Sequence, residues 1–184
     1  MIDLCEEKQQ DFINLNMMEL QEIAAVLCAN ALERVRETAV YTTQEMDWVE
    51  WLQEPHCLQR FKIELAQGMA SLLAAHDDRV LAAYLFDETA NTFVPTATAP
   101  LAAAATHLLF LVSRRSAALY VLADALDKAL VRELNKLSTS ILNQDESLVN
   151  PLFITKADVA EGKGYAVLLS SALAPPVQSG SEIE

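Results

Sequence analysis

Between residues 17 and 39 apolar side chains recur at helical spacing, namely Leu20, Ile23, Leu27, Ala31 and Val35, while Glu19, Glu22, Glu33 and Glu37 lie off the stripe. One buried face and one solvated face predict an amphipathic helix. Thr42 or Thr43 can cap a second, shorter helix carrying Met46, Val49, Trp51 and Leu52, which stops before Pro55 because proline disfavours helical backbone in the residue before it. A third helix is predicted over 56–75, with Leu58, Phe61, Leu65, Met69, Leu72 and Leu73 on its inner side.

The period then changes. After a polar turn, His76-Asp77-Asp78-Arg79, the run Val80–Phe86 is continuously apolar and short, as expected of a buried strand. It ends on two carboxylates, Asp87 and Glu88. From Asp87 to Ala105 the chain reads as a loop, with Pro95 and Pro100 among many threonines and alanines. His107–Val112 makes a second buried strand. Ser116 can cap a long helix to about Leu137, with Leu119, Leu122, Leu126, Leu130, Leu134 and Leu137 facing in. A third apolar run follows at 148–154, and Thr155-x-x-Asp158 forms a capping box opening a last helix that Gly162 and Gly164 interrupt and that resumes over Tyr165–Leu173. The order is ααα–β–loop–β–α–β–α. Strands this apolar, separated by helices, place the chain in the α/β or α+β class, with a mixed sheet of about three to five strands packed by helices and an N-terminal helical extension.

Composition narrows the functions open to such a fold. The net charge is −13, of which −9 falls in residues 1–55 and −4 in the remainder. An acidic surface repels phosphate backbones, so nucleic acid is excluded as an expected partner. With 4 glycines in 184 residues, neither Gly-rich phosphate-cradling motif occurs. Cys5, Cys28 and Cys57 are odd in number and widely spaced, which reads as reduced, cytoplasmic thiols rather than a disulfide framework. The N-terminus is acidic and without an apolar core for a secretory signal. The apolar run 97–112 is too short to span a membrane. The expectation is a soluble chain with no membrane partner.

Each candidate for chemistry has a plain reading beside the sharp one. Asp87 and Glu88 could be an acid/base or metal pair, but as a solvated strand-end turn they need no partner. His107 flanks a buried strand and is more simply an edge histidine than a ligand. His56 and Cys57 could be a metal pair, but neighbours on a helix point about 100° apart and Cys5 and Cys28 are distant, which favours the plain reading; His76 belongs to an exposed turn. Cys28 is expected as a small buried hydrophobe. Trp48 and Trp51 share one helix face and could anchor a partner or pack on the following domain. Arg114-Arg115 could hold an anion or be solvated. No serine, histidine and acid share a local catalytic signature.

The order of elements and the wording "LAAYLF" at 81–86, "THLLFLV" at 106–112 and "NPLFITKADVAEGKGYAVLLSSAL" at 150–173 resemble the minimal nucleotidyltransferase fold, the DNA polymerase β-like superfamily, over roughly residues 58–177. In that family a Gly-Ser turn after the first strand lets the backbone approach nucleotide phosphates. An Asp-x-Asp pair and a third carboxylate hold two divalent metals that clamp the attacking and leaving oxygens. The resemblance puts Asp87 and Glu88 at the Gly-Ser positions, Ala105 and His107 at Asp-x-Asp, and Asn150-Pro151 at the third carboxylate. Apolar or neutral groups cannot replace hard oxygen ligands for magnesium.

The expectation is therefore a catalytically degenerate nucleotidyltransferase-like protein. Residues 1–55 form its acidic helical extension, 56–177 its α/β domain and 178–184 a disordered tail. Its role is structural or regulatory, through a protein partner or homo-oligomer formed by the N-terminal helices. No catalytic residue, cofactor or metal is assigned. The alternatives are an active, magnesium-dependent nucleotidyltransferase using Asp87, Glu88 and Asp145 or Asp158, and a small-molecule-binding α/β sensor module.

Overall fold

The computed structural model describes residues 17–38, 48–100, 103–137 and 147–169. Thr42, Thr43, Cys5, Asp145 and the tail expected at 178–184 lie outside the described residues. Helix α1 (Met17–Thr38) is followed by α2 (Trp48–Gln53) and α3 (Pro55–His76). Strand β1 (Val80–Asp87) forms a hairpin with β2 (Thr92–Pro95), and β3 (Ala103–Val112) leads through α4 (Ala117–Leu137) to β4 (Asn150–Thr155) and α5 (Lys156–Glu161). The fold is mixed α+β. Its sheet has the order β2-β1-β3-β4, with β1 antiparallel to both β2 and β3 and β3 parallel to β4. A parallel pair needs a long crossover, which α4 supplies.

The loop expected over Asp87–Ala105 is corrected. It contains β2, and β3 begins four residues before His107. The turn closes because Asn91 adopts a left-handed conformation (φ 51°), which asparagine tolerates better than most residues. Thr92, Phe93 and Val94 are good strand formers, but Pro95 ends their run after four residues, too short for a sequence period to register. The α-helix expected to resume over Tyr165–Leu173 is also corrected over its described part, Tyr165–Leu169, while 170–173 lie outside the described residues. Gly162 is the left-handed C-cap of α5 (φ 61°), and a 3₁₀ turn, Gly164–Leu168, takes its place.

Strand β4 carries Pro151 and lies at a sheet edge, where proline is tolerated in a sheet. Strands β1 and β3 are apolar on both faces. On the first face Leu85, Leu108, Phe110 and Val112 pack with Phe61, Leu65, Met69 and Leu73 of α3 and Leu119, Leu126, Leu130 and Leu134 of α4. Helix α1 packs against α3 and α4 and adds Leu20, Ala24, Cys28, Ala31 and Val35 to this same core, so the N-terminal helix and the sheet share one hydrophobic cluster. Trp51 packs half-buried on it. The second face holds a smaller cluster of Tyr84, Phe93, Leu109, Leu111, Ile154 and Leu169. Of the predicted inner face of α4, Leu137 is exposed at the helix end.

Polar side chains fix the joints. Asp77 caps the end of α3, and its carboxylate takes Arg79 Nε at 2.9 Å and Nη2 at 2.6 Å. Burial opposes ionisation of Asp77, but the Arg79 bonds prevail and hold its carboxyl below the usual range. Gln21 of α1 donates to the Ala129 carbonyl at 3.2 Å and accepts from Arg132 Nε at 3.0 Å, tying α1 to α4. From α3, Gln67 donates to the Thr96 carbonyl at 2.7 Å, which holds the β2–β3 connection on the helix.

Candidate functional site

The strand directions bring three strand termini to one end of the sheet: the end of β1 and the starts of β3 and β4. Asp87 pairs with Ala103, and His107 pairs with Asn150. The sequence-predicted positions Asp87, Glu88, His107 and Asn150 therefore share this end. Their pairing is interrupted. Leu85 faces Leu108 while the next residue, Phe86, faces Ala104, so Ala105, Thr106 and His107 form a bulge with no partner on β1. Bulges of this kind re-aim side chains and end pairing. His107 and Asn150 are exposed, and the His107 ring lies 6.5 Å from that of Phe86.

The acidic pair is split. Asp87 is one of two buried acids among the described residues. Its Oδ1 accepts the backbone N–H of Thr89 at 2.9 Å and of Ala90 at 3.3 Å. This is an Asx turn, in which a short carboxylate replaces a backbone acceptor. Glu88 is exposed in the turn. Among the described residues no group of three His, Cys, Asp or Glu is placed to hold a metal ion. A carboxylate committed to backbone donors, an exposed imidazole and a neutral amide form a polar sheet end. A two-metal clamp requires converging free carboxylates.

The remaining candidates do not converge here. Asp158 follows β4 at the opposite end of that strand, six residues or about 20 Å away at roughly 3.3 Å per residue. It completes the predicted capping box with Thr155, at 2.8 Å to the backbone nitrogen and 2.9 Å to the hydroxyl, and pairs with Arg115 at 3.1 Å. The Thr155 bonds, with Arg115 adding to them against the opposing burial, hold the Asp158 carboxyl below its usual range. Arg114 is exposed beyond the far end of β3. His56 is exposed and Cys57 buried on successive positions of α3; burial and then Glu54 push the Cys57 thiol up, against Arg60. Cys28 is buried and its thiol is pushed up to about 12, by burial and then by Glu133. Both thiols are poor nucleophiles in the folded chain. His76 is exposed. Trp48's side chain is outside the described residues.

Sequence reasoning missed Asp127. It lies on the apolar stripe of α4 beside Ala123, Leu126 and Leu130 and is 3% exposed. Its carboxylate accepts the Val149 N–H at 2.7 Å and further bonds from Ser147 and Leu148, which favour ionisation, yet burial outweighs them and raises its pKa. An acid placed on a helix's buried stripe is the signal that could have found it. Its partners are backbone groups at the approach to β4, so the role is structural.

Comparison with protein-family models, with curated proteins and with solved structures finds no match. Among the described residues no helix is long and apolar enough to cross a membrane.

Proposed function

We propose that the chain is a nucleotidyltransferase-like protein that has lost metal-dependent catalysis and acts through protein contacts. The observation that supports this reading best is the state of Asp87. In the resemblance it stands at the phosphate-contacting turn, and its carboxylate oxygen is spent on the Thr89 and Ala90 amides. Beside it, the metal-ligand positions are a bulged Ala105–His107 and a neutral Asn150. A triphosphate brought to this end meets the exposed carboxylate of Glu88, whose like charge repels it.

The contact surface in this reading is the outward face of α1, where Met18 and Val26 are exposed among Glu19, Glu22, Glu33 and Glu37. Large apolar groups kept in solvent on an acidic face suit a partner or a second copy that carries apolar sockets rimmed by base.

Calorimetric titration with Mg²⁺ and ATP or GTP tests the first part, with no saturable metal-dependent binding expected. Saturable binding to the wild-type chain that disappears in Asp87→Ala/Glu88→Ala would overturn it. Sedimentation of the wild type against Met18→Glu/Val26→Glu tests the homo-oligomer form of the second part.

A further inference from the structure

The chain leaves α5 through Gly162, Lys163 and Gly164 and then runs from β4 across the second sheet face to β2, at the other edge. We infer that Gly162–Leu169 is a strap that opens as a unit of its own and gates the second sheet face beside the His107–Asn150 end.

The hinge is visible in the backbone. Gly162 and Gly164 both have positive φ, 61° and 57°, and a Cβ at either would meet nothing within 4 Å. Two residues free of the usual steric limits flank one exposed lysine, and backbone bonds from Gly162 to the Val159 carbonyl and from Lys163 to the Asp158 carbonyl end α5 just before the strap. The strap itself is a 3₁₀ turn of five residues, whose hydrogen bonds are poorer than those of an α-helix. Tyr165 is 44% and Val167 67% exposed, and Leu169 is the one buried side chain of the segment.

Besides the packing of Ala166, Leu168 and Leu169 on the second-face cluster, three contacts tie it to β2. The Thr92 hydroxyl donates to the Leu168 carbonyl at 2.7 Å, Phe93 makes a single isolated bridge with Leu169, and the Tyr165 ring meets that of Phe93 edge-on at 6.3 Å. Thr92 and Phe93 are the register partners of Asp87 and Phe86, so the strap is fastened to the strand that closes the candidate turn. An aromatic run, Tyr165, Phe93, Phe86 and His107, passes from under the strap to the exposed sheet end.

Beneath lies a cluster separate from the main core. Tyr84, Phe93, Leu109, Leu111 and Ile154 face the strap, while α1, α3 and α4 hold the opposite face. Lifting the strap therefore uncovers an apolar surface beside His107 without disturbing the packing that maintains the sheet. Segments with few buried contacts and short local bonds open below the global unfolding free energy. The inference is independent of the nucleotidyltransferase-like reading.

Native-state hydrogen exchange on the full chain in low urea tests it. The Ala166 and Leu169 amides, bonded to Lys163 and Ala166, are expected to exchange through an opening faster and less urea-dependent than that of β3 amides. Thr92→Val removes the hydroxyl donor at similar volume and should speed strap exchange about five- to tenfold, the worth of one hydrogen bond, with β3 and α3 amides unchanged. Strap amides that exchange with the same urea dependence as β3, or a Thr92→Val effect spread over the whole chain, would overturn the inference.

Discussion

The Asp127 carboxylate accepts the backbone N–H of Val149 at 2.7 Å, joining the middle of α4 to the residue immediately before β4. This bond sets where the crossover helix hands the chain to the edge strand. Asp127→Ala leaves buried donors without an acceptor and should cost about 1–3 kcal/mol, measured by urea unfolding. The pH dependence has a defined sign. Burial raises the folded pKa of Asp127, so its relative stabilisation of the fold is fully present below the unfolded carboxylate value of about 3.9 and is lost as pH rises through the raised value. Asp127→Asn does not titrate. Its stability relative to wild type should improve as pH climbs through that window, and a constant difference across it would contradict this account.

Asp87 gives a second test. Asp87→Asn keeps a side-chain oxygen for the Thr89 and Ala90 amides, whereas Asp87→Ala removes it. The alanine variant should lose about 1 kcal/mol and the asparagine variant less than half of that. Thermal unfolding separates them. Equal losses would mean that the turn does not depend on the Asx bonds.

Gly68 sits inside α3, and a Cβ there would stand 3.1 Å from Leu27 Cδ2 on α1. Replacing a mid-helix glycine by alanine gains roughly 0.8–1 kcal/mol, and Leu27 is half-buried with a terminal methyl that can rotate aside. Gly68→Ala should therefore raise the melting temperature. A decrease that Leu27→Ala relieves would show that the α1–α3 contact is rigid.

Cys28 is buried between helices and its thiol is pushed up to about 12, so the reactive thiolate is scarce near neutral pH. In a chain with Cys5→Ser and Cys57→Ser, Ellman's reagent should label Cys28 at the rate at which α1 leaves α3 and α4. Immediate labelling at pH 8 would place α1 outside the core.

Much of the fold was legible because long apolar periods carry it. The stripes of α1, α3 and α4 and the runs of β1 and β3 each extend over six or more residues, and Thr155 with Asp158 forms its box from local chemistry alone. The β1–β2 hairpin was not legible. Its second strand has four residues, and the turn depends on one left-handed asparagine and one carboxylate that looked catalytic. The shared core of α1 with the sheet was hidden for another reason: the glutamine that ties α1 to α4, Gln21, bonds residues more than 100 positions away. Of the candidate site, the residues were nameable from the sequence, but the common sheet end of Asp87, His107 and Asn150 is set by the order β2-β1-β3-β4 and its pairing, which no local pattern encodes. The three-residue bulge before Leu108 had no sequence signature.

That bulge also bears on how the chain avoids misfolding. When one face of a strand is polar, sliding it by one residue is prohibitive, because every apolar side chain would turn to water. Here β1 and β3 are apolar on both faces, so a slipped pairing would exchange one greasy surface for another at little hydrophobic cost. The irregular places, Leu81 opposite no residue of β3 and Ala105–His107 opposite none of β1, act as notches that let the two strands engage in a single alignment.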